Sequence, residues 1–165
     1  MTITAPVPLA NDHAIEGFDC GVAPLDDWLK RRARPNSASG ASHTYVACEG
    51  DKVVAYYALA AGAVAPAASP GRFRRNMPDP IPVVVLGRLA IDRAYQGQGL
   101  GRALFRDASL RVLQAADIIG VRGLLVDAIS EEAKVFYLAL GMSPSPLDPM
   151  TLMVTLADLK AATRY

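Results

Sequence analysis

The sequence predicts an α/β domain of the α+β kind: a mixed, mostly antiparallel sheet containing one parallel pair, flanked by helices, in a single domain over residues 1–165. Three observations predict it. The apolar, β-branched run Val83-Val84-Val85-Leu86 resumes through Leu89-Ala90-Ile91, meets a glycine-rich turn and passes into helical spacing, the pattern of a buried strand feeding a helix. A second apolar run, Gly123-Leu124-Leu125-Val126, follows that helix, and strand, helix, strand implies a right-handed crossover and a parallel pair. Upstream, Thr44 to Cys48 and Val53 to Leu59, joined by Glu49-Gly50-Asp51-Lys52, read as an antiparallel hairpin.

Taken in order, Met1 to Asn11 is an extended lead-in or edge strand. A short helix follows. Pro24 suits its first position, Asp26 and Asp27 its first turn, and Lys30, Arg31 and Arg32 its last, while Leu25, Trp28 and Leu29 form its apolar face. Pro35 is expected to end it, and Asn36 to Ser42 to form a loop. After the hairpin, the proline- and alanine-rich stretch from Ala60 to Pro82 is too long for an ordinary connection; it carries the basic knot Arg72-Phe73-Arg74-Arg75, and Ser69-Pro70 is a candidate helix start. Gly87 interrupts the central strand, where it suggests a bulge or a close approach to the backbone. Beyond the second parallel strand, Ser130 caps a helix with Glu131 and Glu132 in its first turn, and Gly141 closes it. Thr151 to Leu156 alternates as a last strand.

Composition narrows the setting. With 52% apolar and 20% charged residues the chain is ordinarily globular, and a net charge of +1 neither demands nor excludes nucleic acid, so local clusters must decide. Cys20 and Cys48 lack the paired spacing of a metal site and the density of a disulfide scaffold, so no metal is expected and a reduced cytoplasm is the natural home. No run is long enough to span a bilayer, and no membrane partner is expected.

The turn Gln96-Gly97-Gln98-Gly99-Leu100-Gly101 carries the chemistry. A glycine turn between a strand and a helix gathers free N–H groups and the positive end of the helix dipole, a place for phosphate. Its spacing is neither the G-x-G-x-x-G of dinucleotide folds nor a P-loop, which needs Gly-Lys-Ser/Thr. It resembles the acyl-CoA turn of the GNAT N-acetyltransferase superfamily, Gln/Arg-x-x-Gly-x-Gly/Ala, met by Gln96, Gly99 and Gly101. That resemblance implies the GNAT acyl-CoA N-acyltransferase fold with a splayed parallel pair and a bulge near Gly87. It also implies acetyl-CoA as cosubstrate, held by Leu89, Ala90 and Ile91, by Gln96, Gly97, Gln98, Gly99, Leu100 and Gly101 with Arg102, and by Ala133 and Phe136. Tyr137 matches the tyrosine that GNAT enzymes commonly use to protonate the leaving thiolate. His43 and Asp92 are possible bases, each more readily read as structural. With no obvious base on the strand, the acceptor is expected to be an α-amine or another weakly basic amine; an α-amine ordinarily titrates at about 7.7–8.0 and is partly neutral, unlike a lysine at about 10.4.

A narrower resemblance joins FDCG-x-x-x-LDDWLKRRARPNSASGASHTYV, LGRLAID-x-x-x-QGQGLGRALFRDA and EAKVFYLALGM-x-PSPLDPMTLMVTL: together they look like the GNAT-type toxins of bacterial type II toxin–antitoxin pairs. It implies acetylation of the amino acid on charged tRNA, a ribbon–helix–helix antitoxin with operator DNA reached through it, and a homodimer. Lys30, Arg31, Arg34 and His43, with Arg72, Arg74 and Arg75, are the expected tRNA contacts; a basic residue is expected at the position His43 holds. Two other readings stay open: an acetyltransferase for small amines or protein N-termini, and a non-catalytic binding module acting with an antitoxin on DNA.

Overall fold

The computed structural model describes residues 2–163. In chain order the elements are β1 (Val7–Pro8), α1 (Ala23–Arg31), α2 (Ala33–Ser39), β2 (His43–Glu49), β3 (Lys52–Val64), α3 (Gly71–Arg74), β4 (Ile81–Ile91), α4 (Leu100–Ala116), β5 (Gly123–Asp127), α5 (Glu131–Ala139), β6 (Ser143–Pro144), β7 (Thr151–Thr155) and α6 (Leu156–Thr163). The chain divides into two compact units: residues up to Ala60 with Gly87–Asp107, and Ala61–Leu86 with the residues from Ala108 on.

In the first unit β1 and β3 flank β2 in antiparallel pairing, with a register shift between Ala47 and Cys48. Of the expected lead-in, Met1 lies outside the described residues, while Val7 and Pro8 form the edge strand. Its core gathers Ile15, Phe18, Leu25, Leu29, Val46, Val53, Tyr56 and Ala90, with Trp28 half-buried against it. Pro35 does not end the helical stretch, and Asn36 to Ser39 is not loop. Arg32 closes α1 and opens α2, and Pro35 falls in the first turn of α2, where its missing N–H leaves no bond unmade. The stop comes at Gly40, whose φ of +81° lets its N–H reach back to the carbonyls of Asn36 and Ser37.

The second unit holds the strand order β4-β5-β7-β6. The parallel pairing of β4 with β5 covers three residue pairs, Val84↔Leu124 to Leu86↔Val126, and Gly87 is the first residue of β4 after it. Phe73, Ile81, Val83, Leu125 and Met153 form a core here. Gly123 is required by packing: a Cβ there would come within 2.0 Å of the Val154 carbonyl oxygen. The stretch after Ala60 is more ordered than expected. β3 runs on to Val64, and α3 is pinned by buried Phe73 and by Arg122, whose guanidinium donates to the carbonyls of Phe73 and Arg72 at 2.8 Å each. Ser69 does not cap α3; its hydroxyl donates to Ala65 O at 3.0 Å. Ser130 does cap α5, accepting from Ala133 N at 3.1 Å. At the other end Gly141 N bonds Leu138 O and Met142 N bonds Tyr137 O, the paired bonds of a Schellman stop. Leu156 starts a helix instead of ending a strand, because the Thr155 hydroxyl accepts from Asp158 N at 3.1 Å and turns the chain.

Candidate active site

In the first unit the end of β4 and the turn after it form a backbone cradle. Ala90 is buried in the core, so by strand alternation Leu89 and Ile91 project from the other face and are half-buried. Asp92 is no base. Its buried carboxylate accepts from Ala94 N at 3.0 Å and Asp19 N at 3.1 Å, which fixes the exit of the strand. Gly97 and Gly99 then take φ of +80° and +83°, and a Cβ at either would meet no protein atom within 4 Å. Among the described residues no acceptor is recorded for the N–H groups of Gln98, Gly99, Leu100, Gly101 and Arg102, while Ala103 N, one residue on, bonds Gly99 O at 3.2 Å. Open space beside glycines, a run of free amides and the N-terminus of the 17-residue α4 make an anion nest.

Gln96, expected to help hold the cofactor, also ties the turn in place. Its side-chain amide donates to Ile91 O at 2.8 Å and Cys20 O at 3.0 Å, tying the turn to the strand end and to the loop before α1. That loop is held a second time, since Arg93 Nε donates to Asp19 Oδ1 at 3.1 Å and Arg93 N to Asp19 O at 2.9 Å. Gln96 therefore positions the nest. Gln96→Ala removes two hydrogen bonds of roughly 1 kcal/mol each, and the acetyl-CoA Kd, read by calorimetric titration, is expected to rise about fivefold while kcat at saturation holds.

In the second unit α5 carries Tyr137, 6% exposed, with its ring edge-on to Phe136 at 5.1 Å. Burial pushes its phenol up to about 12, so it keeps its proton throughout the neutral range. Ala133 and Phe136 lie half-buried on the same helix. Both cysteines are free and buried, and burial pushes Cys20 up to about 11.

The cations divide into committed and open ones. Arg34 is a clamp: its Nη2 donates to the carbonyls of Ala10, Asn11 and His13, at 2.6 Å for the last, whereas Lys30 and Arg31 are exposed on α1. These bonds occupy one guanidinium nitrogen of a residue expected to contact tRNA. His43 is exposed at the start of β2. Arg72 holds Asp158 with two bonds of 2.7 and 2.8 Å, while Arg74 and Arg75 are exposed, with no ion pair recorded for them among the described residues. Sequence reasoning passed over one cation, Arg88, whose guanidinium lies 4.5 Å from the Trp28 ring centroid. An arginine inside an apolar strand was the available signal.

Comparison with known proteins adds to this geometry. The acetyltransferase (GNAT) domain family matches residues 40–142. A tRNA-acetylating toxin of Mycobacterium tuberculosis (strain ATCC 25618 / H37Rv) is 48% identical over 158 residues, covering 96% of this chain and 95% of that protein. AtaT complexed with acetyl-methionyl-tRNAfMet has a similar structure, with a TM-score of 0.90 and 30% identity over 99% of this chain and all of that one. A tyrosine-to-phenylalanine variant of AtaT bound to the C-terminus of the antitoxin AtaR and acetyl-CoA superposes with a TM-score of 0.83 and 29% identity, over 98% of this chain and 97% of that one. A KacTA–DNA complex gives a TM-score of 0.80 at 30% identity, over 97% of each chain.

Proposed function

The chain belongs to the acetyltransferase (GNAT) family, and from that premise we propose that it is the toxin of a type II toxin–antitoxin pair. It transfers acetyl from acetyl-CoA to the α-amine of the amino acid on charged tRNA and so blocks translation. The observation that carries this reading is its likeness, nearly end to end, to a tRNA-acetylating toxin. Its partners are aminoacyl-tRNA, a ribbon–helix–helix antitoxin, operator DNA through that antitoxin, and a second copy of itself. Residues 1–165 act as one acetyltransferase domain in the cytoplasm, where charged tRNA is; no helix among the described residues is long and apolar enough to cross a membrane.

The chemistry follows from the parts. The nest at Gln98 to Arg102 takes the pyrophosphate of acetyl-CoA, and the backbone of Leu89 and Ile91 takes the pantetheine arm. The neutral α-amine attacks the thioester carbonyl, a C–N bond forms, the C–S bond breaks, and the amine gives up a proton as the thiolate gains one. Tyr137 is assigned as the donor to that thiolate. The amine needs no dedicated base: an α-amine ordinarily titrates at about 7.7–8.0, and the electron-withdrawing ester lowers that further.

A cell-free translation reaction tests this. Added protein with acetyl-CoA is expected to stop synthesis, and freshly charged tRNA or the cognate antitoxin to restore it. Synthesis that continues, together with acetyl transfer to free amines or peptide N-termini, would replace this reading with the small-amine one.

A further inference from the structure

Arg88 stands at the top of an aromatic stack in the first unit. Its guanidinium lies over Trp28 at 4.5 Å; Trp28 stacks on Tyr56 with centroids 6.0 Å apart and planes 9° apart; and Phe18 meets Tyr56 edge-on at 5.4 Å. The stack is anchored at its base by the Tyr56 hydroxyl, which donates to Leu25 O of α1 at 2.6 Å. The guanidinium thus rests over an anchored ring. Yet Arg88 is half-buried, and among the described residues no carboxylate and no hydrogen-bond acceptor is recorded for its five N–H donors. A partly desolvated guanidinium without an anion is an unfinished pair, and its planar fork matches a phosphate.

Its place on β4 says which phosphate. Arg88 precedes Leu89, beside which the pantetheine arm lies, and it is three residues before Ile91, about 10 Å along a strand rising about 3.3 Å per residue. The nest for the coenzyme pyrophosphate begins only after the further turn through Asp92 and Gln96. Arg88 is therefore at the acetyl end of the cofactor strand, and it shares its face of the unit with α1, on which Lys30 and Arg31 are exposed. A free amino acid or a peptide N-terminus brings no phosphate to that end. A charged tRNA does, because the 5′-phosphate of its terminal nucleoside is one ribose away from the aminoacyl ester.

We propose that Arg88, preorganised on Trp28, binds the phosphodiester of the terminal nucleotide of aminoacyl-tRNA and so selects a nucleotide-borne amine over a free one. This rests on the reading of charged tRNA as substrate and names the group that recognises it. Two minimal acceptors test it: the 3′-aminoacyl ester of adenosine, and the same ester bearing a 5′-phosphate. The wild type is expected to prefer the phosphorylated acceptor about tenfold or more in kcat/KM, a scale consistent with one charged contact. Arg88→Gln, which removes the charge but keeps a planar polar head on a shorter stem, brings the phosphorylated acceptor down to the wild-type value for the other; Arg88→Lys restores part of the preference. The acetyl-CoA Kd stays as in the wild type. A preference that survives in Arg88→Gln, an equal fall on both acceptors, a weakened acetyl-CoA Kd, or loss of antitoxin neutralisation alone would each overturn the proposal. Wild-type protein that acetylates free amines but neither ester would overturn the tRNA reading as well, a result distinct from all of these.

Discussion

Tyr137→Phe turns over charged tRNA about 100-fold more slowly than the wild type and binds acetyl-CoA equally well, as expected when a general acid worth about 10²–10⁴ is removed. The ring and its edge-on contact with Phe136 at 5.1 Å remain, so the helix keeps its packing. The phenol is pushed up to about 12 by burial, which on its own makes it a reluctant donor to a thiolate whose acid ordinarily titrates at about 8.5. Burial acts on a thiol in the same sense: Cys20 of this chain is pushed up to about 11, chiefly by burial. A thiolate leaving into a dry site is a stronger base than one in water, and the gap to the phenol narrows. The sign for pH follows. Tyr137 holds its proton until pH climbs towards 12, so the rise of activity with pH tracks deprotonation of the acceptor amine, in the wild type and in Tyr137→Phe alike. Pre-steady-state rates across pH, with acetyl-CoA binding measured in parallel, read both parts. Equal loss of binding and turnover would remove the acid role.

Gly99→Val raises the acetyl-CoA Kd about 100-fold or more. Two costs combine there. At φ of +83° a β-branched residue is strained, by about 1–2 kcal/mol on the scale of left-handed backbone, and its side chain enters the open space beside the turn. Gly99→Asn separates the two, because asparagine tolerates the left-handed region yet still fills the space. Thermal unfolding without ligand is expected to fall for valine and to recover for asparagine, while acetyl-CoA binding, followed by titration, is weak in both. Normal affinity in the asparagine variant would move the pyrophosphate to another site.

Local signals carried most of the fold. The glycine turn, the cap at Ser130, the stop at Gly141 and the hairpin each depend on a few neighbouring residues whose chemistry permits one conformation, so the sequence alone located them. What it missed depended on partners that a local pattern does not reveal. Pro35 reads as a stop until Arg32 is seen to open a second helix, and Leu156 continues an alternating pattern until the Thr155 hydroxyl captures Asp158 N. The same holds at the candidate site. Arg34 and Lys30 look alike in a basic run, yet only Arg34 lies where the carbonyls of Ala10, Asn11 and His13 converge. Gln96 fits the acyl-CoA motif, but its amide serves the turn, and that is visible only once Cys20 is brought beside it. Arg88 gains its meaning from Trp28, which lies far earlier in the chain.

The most direct measurement is to incubate the protein with labelled acetyl-CoA and a pool of charged tRNAs, beside the same tRNAs deacylated and a panel of free amines, and to identify the labelled product by mass spectrometry after mild ester hydrolysis. Label on charged tRNA alone, released as an N-acetyl amino acid, is the predicted result. Label on free amines or peptides with none on charged tRNA, or acetyl-CoA bound without transfer to any acceptor, would contradict it.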